Sequence, residues 1–368
     1  MSKVKAFLQR KNIILSGKRY GIDALGAMAQ GLFCTLLVGT ILNTIGEQFN
    51  IGFLKAIIVT IGKGDGAANY TIGGLASLMV GAGIAVAIGN ALGAPGLVLF
   101  SLIPVGFATN SMGGAGGALA VYFVAIVACE CGKLVSKETK IDIIVTPIVT
   151  ILVGIGLASL VAAPIGKAAN AVGEAVMWAT ELQPFFMGIL VSVIIGIALT
   201  LPISSAAICA AFGLTGLAGG AALAGCCAHM IGFAVMSFKE NRWGGLVAQG
   251  IGTSMLQMPN LVKNPRCWIP PVIASAITGP LATCVFHFQM NGAPVSSGMG
   301  TCGLVGQIGV YTGWLKDIAS GAKSAITTMD WVAIVLICFV LPAVLSWVFC
   351  EILRKLGWIK EGDLKLNL

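Results

Sequence analysis

Of 368 residues, 57% are hydrophobic and only 10% are charged, and 22 Lys+Arg against 14 Asp+Glu leave a net charge of +8. So little charge cannot coat a soluble body of this size. The 50 Gly follow no three-residue period, which excludes collagen, and the 11 Cys sit mostly inside apolar runs, which excludes a disulfide scaffold. The fold class is an all-α polytopic integral membrane protein. The polar stretches leave no room for a soluble catalytic domain, so residues 1–368 read as a single membrane domain with short tails at 1–21 and 354–368.

In chain order, the first tail carries Lys3, Lys5, Arg10, Lys11, Lys18 and Arg19, too polar for the apolar core of a signal peptide, so the first span reads as an uncleaved anchor. Residues 66–129 contain no Asp, Glu, Lys or Arg. At about 20 residues per span that stretch crosses about three times. Residues 184–238 are equally free of these four types, with His229 as the one histidine. The expected spans are 22–46, 70–92, 95–111, 113–132, 141–163, 184–202, 203–220, 221–238, 268–289 and 331–353, about ten in all at that length.

Positive charge resists translocation. A cytoplasmic N-terminus places Lys133, Lys137, Lys140, Lys239, Arg242, Lys263, Arg266, Arg354, Lys355, Lys360 and Lys365 on the same side as the first tail, and leaves Lys55, Lys63, Lys167, Lys316 and Lys323 opposite. Both termini are therefore expected in the cytoplasm. The basic tail shows no nucleic-acid motif and is expected to face an anionic lipid leaflet instead.

Two segments do not suit lipid. Residues 244–262 hold Gln249, Gln257, Pro259 and Asn260; residues 301–315 follow Gly298-Met299-Gly300 and hold Thr301 and Gln307. Irregular backbone at membrane depth is tolerated inside protein or beside a water-filled cavity, so both are expected as re-entrant hairpins. Glycine pairs four residues apart, Gly89/Gly93, Gly113/Gly117 and Gly216/Gly220, suit close helix packing. Asn110, in a glycine-rich interruption of an apolar run, is a candidate lining residue.

The remaining polar candidates run from His229 to Gln307. An ionisable side chain at membrane depth, such as His229, is a functional candidate by default, with a satisfied core histidine as the plain alternative. Glu240 and Asn241 stand near a helix end, where solvation alone could explain them. The run Gln257 to Arg266 supplies the amides Gln257, Asn260 and Asn264, the cations Lys263 and Arg266, and two prolines that should break the helix. Amides donate and accept, as sugar hydroxyls do, so a carbohydrate or other small polar solute fits this lining. His287, Asn291 and Gln307 are weaker candidates, with helix-end hydration as the plain alternative. Gly298, Gly300 and Gly303 have dinucleotide-loop spacing but no preceding strand, and two distant histidines make a poor metal site. No cofactor, metal or self-contained catalytic site is expected.

The runs Thr180-Glu181-Leu182-Gln183-Pro184-Phe185-Phe186-Met187-Gly188, Leu201-Pro202-Ile203-Ser204-Ser205-Ala206-Ala207, 252–271 and Gly298-Met299-Gly300-Thr301-Cys302-Gly303-Leu304-Val305-Gly306-Gln307 resemble the phosphotransferase-system enzyme IIC family, in the branch of the perfringolysin O regulator proteins. The resemblance covers nearly the whole chain. It implies a homodimeric plasma-membrane sugar-permease subunit with hairpins in its substrate domain, presenting a carbohydrate to a separate enzyme IIB that donates phosphate. Glu240-Asn241 shares only its acid and amide with the Asn-Glu-Pro motif of better-known members, so a non-phosphorylating sensor or solute transporter on the same fold stays open. Lys239, Arg242, Lys263 and Arg266 are the expected partner-docking cations. The topology predicts that single cysteines at positions 10 and 360 are labelled only from the cytoplasm and one at 170 only from outside; tails labelled from opposite faces would refute it.

Overall fold

The computed structural model describes residues 3–62 and 67–366. Lys63, an expected outer-face cation, and the tail ends 1–2 and 367–368 lie outside the described residues. Helix dominates because backbone groups in hydrocarbon must find partners within their own segment. The strands among the described residues are Val59–Ile61 (β1) and Ala68–Tyr70 (β2), a short antiparallel pair in which Val59 faces Tyr70. Among the described residues six helices are long and apolar enough to cross a membrane, and up to seven if a bent pair counts as one span. The chain divides into two compact units, 1–167 and 168–368.

The first unit opens with Lys3–Arg10 (α1) and continues through Arg19–Gln48 (α2), the bent pair Ile72–Leu78 (α3) and Val80–Ala91 (α4), then Gly96–Gly113 (α5), Gly117–Val135 (α6) and the start of Asp142–Thr180 (α7). The bend between α3 and α4 is 54°. Small residues let these helices approach backbone to backbone. A Cβ built on Gly81 would lie 2.2 Å from the Gly106 carbonyl oxygen, and one on Gly31 2.5 Å from that of Gly83.

The basic N-terminal segment is tied into this unit. Lys133, 1% exposed, donates to the carbonyls of Asn12 at 2.8 Å and Leu92 at 3.0 Å and pairs with Glu130 at 2.9 Å. Arg10 and Lys11 both pair with Glu138, and the bond from Lys11 holds the Glu138 carboxyl below the ordinary carboxylate range.

The second unit contains Pro184–Thr200 (α8), Ser205–Ala211 (α9), Gly216–Met236 (α10), Phe238–Val247 (α11), Met258–Lys263 (α12), Pro265–Val285 (α13), Val305–Ala319 (α14) and Thr328–Lys355 (α15). Helices α8, α13 and α15 pack around α10, which is almost wholly buried. Leu223, Ala224 and Cys227 of α10 join Phe288, Met290, Val310, Trp314, Ile334 and Ile337 in one core.

Helices cover nine of the ten expected spans. The tenth, 203–220, does not form. In its place Ser204 caps the short α9 by accepting from the Ala207 amide at 3.1 Å, and Gly213 (φ 61°) and Gly216 (φ 64°) turn the chain into α10. Left-handed φ at two nearby positions stops a continuous helix whatever its hydrophobicity.

Glycine in α10 permits its central position. A Cβ on Gly225 would stand 1.9 Å from the Ser192 carbonyl oxygen, and one on Gly220 1.8 Å from that of Phe288. Gly225→Ala must therefore separate α10 from α8, and overpacking of this kind costs about 1–3 kcal/mol. It is expected to lower the thermal midpoint in detergent, whereas Gly156→Ala, with nothing within 4 Å of its new Cβ, leaves the midpoint unchanged or raises it.

Candidate functional site

Past α10 the backbone breaks repeatedly. Helix α11 passes into a π turn at Ala248–Gly252, an extended Thr253 (φ −158°), a 3₁₀ turn at Ser254–Gln257 and the short α12. Pro259 sits in the first turn of α12, where its missing N–H is harmless, and Asn264 is extended before Pro265, as a residue preceding proline should be. The second broken segment runs through a 3₁₀ turn at Pro294–Gly298, Gly300 (φ 58°) and a turn at Cys302–Leu304 into α14. Arg242 (φ 50°) and Leu304 (φ 59°) are held in the left-handed region within these segments. Such strain persists only where the surroundings impose it.

The two segments meet on α10. Thr301 of the second donates its hydroxyl to the Gly250 carbonyl of the first and lies 3.7 Å from the Met230 sulfur. On a neighbouring face of α10, His229 Nδ1 is 3.0 Å from the Thr200 hydroxyl, which is 2.8 Å from that of Ser254. Trp268 and Phe233 pack edge-on against the imidazole. Gln307 donates to the Cys227 sulfur at 3.4 Å. His229 is fully buried and Gln307 is 8% exposed, yet His229 Nε2 and Gln307 Oε1 have no hydrogen-bond partner. Buried polar atoms without partners are rare, and each calls for an explanation such as a missing ligand or water.

The amides form a chain of their own. Gln249 donates to Ser237 at 2.8 Å, Gln257 donates to Gln249 at 2.8 Å, and Asn260 donates to Gln257 at 2.8 Å. The chain ends on the C-terminal segment beyond α15. Gln257 also donates to the Leu364 carbonyl and Asn260 to that of Lys365, while Asn241 reaches Leu364 and Asn264 reaches Trp358 and Asp363.

The charged candidates are placed differently. Glu240 receives Arg354 at 2.6 Å, with the two side chains 4% and 13% exposed. Lys239 pairs with Glu351 at 2.7 Å, Arg266 stacks 5.2 Å from the Trp358 ring, and Arg242 and Lys263 are exposed. Asn110 belongs to the first unit, packed beside Gly81 and Gly117, and is not part of these clusters.

Thr200 and Ser254 are the partners that sequence reasoning missed. Ser254 follows a Thr and precedes the amide run, a local capping signal, but Thr200 carries no mark of its own. His287 and Asn291 line a separate polar cavity of about 290 Å³ with Trp314, Asp317 and Lys323, in which Asn291 donates to Asp317 at 2.7 Å.

A helix-wrapped core with two broken segments meeting over buried polar side chains defines a multi-pass membrane protein of the solute-transport class. The chain belongs to the family described as Phosphotransferase system, EIIC, whose model matches residues 22–366. It is thus a membrane sugar-permease component. A search of curated proteins and a search of solved structures each gave no match.

Removing one member of a buried ion pair strands the other charge and costs about 3–5 kcal/mol. Arg354→Met should therefore destabilise the protein by about that amount, and adding Glu240→Gln should restore a substantial part of the thermal midpoint. Full additivity of the two substitutions would show that the pair is not coupled.

Proposed function

We propose that the protein binds a carbohydrate where the two broken segments meet on α10, carries it across the plasma membrane and presents it to a separate enzyme IIB, which supplies the phosphate. His229, Thr301 and Gln307, with Ser254 beside them, form the contact layer of this reading. Gln249, Gln257, Asn260, Asn241 and Asn264 form the layer beyond it, and Glu240 acts through its pairing with Arg354. The observation that carries the reading is that His229 Nε2 and Gln307 Oε1, each next to one of the broken segments, are two of the four buried polar atoms without a partner among the described residues of this unit, beside Glu240 Oε2 and Ser346 Oγ. His229 and Gln307 are side chains a hydroxyl can satisfy, and a sugar offers several hydroxyls that donate and accept.

Phosphoryl transfer needs donor and acceptor in line, with positioning and electrostatics doing most of the work. The exposed cations Arg242, Lys263 and Arg266, joined by Lys239, suit a negatively charged partner surface. A cytoplasmic placement of this face and of both termini is supported by the distribution of Lys and Arg. An apolar cavity of about 440 Å³ between Ile231, Val235, Leu246, Ile251, Leu304 and Phe339 suits a lipid acyl chain. The homodimer in this reading rests on the sequence resemblance.

The test is phosphoenolpyruvate-dependent accumulation of labelled hexoses, hexitols and disaccharides in vesicles supplied with the soluble phosphotransfer proteins. For any sugar that the wild type accumulates, His229→Ala and Gln307→Leu should weaken binding about tenfold or more, as loss of a buried polar partner costs roughly 1–3 kcal/mol, while folded yield is retained. Unchanged affinity in both variants would place the sugar elsewhere, and failure to accumulate any sugar would favour the sensor reading.

A further inference from the structure

The segment after α15 does not trail away from the protein. Gly357 (φ 71°) turns the chain back, and a second turn at Gly362 (φ 92°) lays residues 358–366 along the broken segment. Ile359 and Leu364 are 1% and 0% exposed. The contacts that hold this segment read its main chain. Asn241 makes two of them, donating from Nδ2 to the Leu364 carbonyl at 2.8 Å and accepting from the Leu366 N–H at Oδ1, also at 2.8 Å. This is the pairing by which a β-strand recognises its neighbour, made here by one side chain. Gln257 donates to the same Leu364 carbonyl at 3.1 Å and Asn260 to that of Lys365 at 2.9 Å. Asn264 donates to the Trp358 carbonyl at 2.9 Å and to the Asp363 carboxylate at 2.7 Å.

Counting hydrogens shows what this excludes. A carboxamide nitrogen has two hydrogens to give. Gln257 spends one on Gln249 and one on Leu364; Asn260 spends one on Gln257 and one on Lys365. Neither has a donor left while the segment is in place. A second ligand that needs a donor from these amides must displace it.

We propose that Asn241, Gln257, Asn260 and Asn264 form a groove for the main chain of a turn-containing peptide, and that residues 358–366 are its resident, releasable ligand, a built-in cover of this face. The groove stands whatever solute the protein carries. Its regulatory sense rests on the reading of this face as the place where substrate and phosphate donor are served: with the segment seated, Arg266 is stacked on Trp358 and the amides are spent, and with it released both become available. Tethering through Gly357 gives the segment an effective concentration on the order of millimolar. A free peptide at micromolar concentration should therefore not compete in the wild type.

The experiment uses the full-length protein in lipid nanodiscs and a fluorescent synthetic peptide with the sequence of residues 358–366. Leu366→Pro deletes the N–H that Asn241 accepts, and Leu364→Asp places a charge in a buried apolar seat; both should free the groove. The peptide should bind each variant at least tenfold more tightly than the wild type, and a control peptide carrying proline at its last position should not bind. Hydrogen exchange of the unmodified protein decides independently of any variant: amides of 358–366 should exchange as a unit well before those of α10. Exchange of this segment only together with α10 would make it a fixed part of the fold and overturn the proposal. So would folded variants that ignore the peptide. Neither outcome depends on sugar uptake, so failure here is distinct from failure of the transport reading.

Discussion

The second unit depends on how closely helices can approach α10. In lipid no hydrophobic force drives helices together, so attraction comes from van der Waals contact and from polar groups that find each other. Gly220 and Gly225 bring the Phe288 and Ser192 carbonyls to within 2 Å of where a Cβ would stand. That proximity seats His229 against Thr200 and lets both broken segments reach the same helix. A side chain as small as a methyl group at either glycine would move every partner outward, and with them the hydrogen bonds between Thr200, His229 and Ser254.

Breaking helices inside such a core exposes backbone groups that need partners. The structure meets this need with side chains from other elements: Thr301 serves the Gly250 carbonyl, and Gln249 reaches the carbonyl of Gly245 at 3.0 Å as well as Ser237. Satisfying the broken backbone and recognising a polar ligand use the same residue types. That overlap explains why a serine, a threonine and several amides accompany the broken segments of an otherwise apolar protein, and why unpartnered atoms such as His229 Nε2 and Gln307 Oε1 are informative.

Much of this architecture is legible in the amino-acid sequence. Long charge-free runs mark spans because lipid admits little else, and the prolines at 259 and 265 mark breaks because, set among amides, each removes a backbone donor and restricts the residue before it. The segment 203–220 misleads because its composition suits lipid and nothing charged interrupts it; what decides it is the cap at Ser204 and the geometry of Gly213 and Gly216, which composition does not convey. The amide run stands out as polar residues in an apolar setting. Its partners in the last turns of the chain do not, since the carbonyls of Leu364 and Lys365 belong to every residue alike. The union of Glu240 with Arg354 is equally hidden, because a charge at a helix end looks solvated until its neighbour across the fold is known.

Helix α7 has 39 residues, roughly 58 Å at about 1.5 Å per residue, close to twice the hydrocarbon thickness of about 30 Å. Its charges show which part lies in oil. Asp142 stands at one end, no Asp, Glu, Lys or Arg follows until Lys167, and Glu174 comes later. The apolar stretch between Asp142 and Lys167 is on the order of 36 Å long, several ångströms more than an average bilayer needs, so it must tilt, kink at Pro147 or Pro164, or thicken the lipid around it. The remainder carries Lys167 and Glu174 and ends near the exposed Trp178, a composition that suits the headgroup region. Hydrophobic mismatch is thus built into one helix, and a thinner bilayer would increase the mismatch that α7 has to absorb.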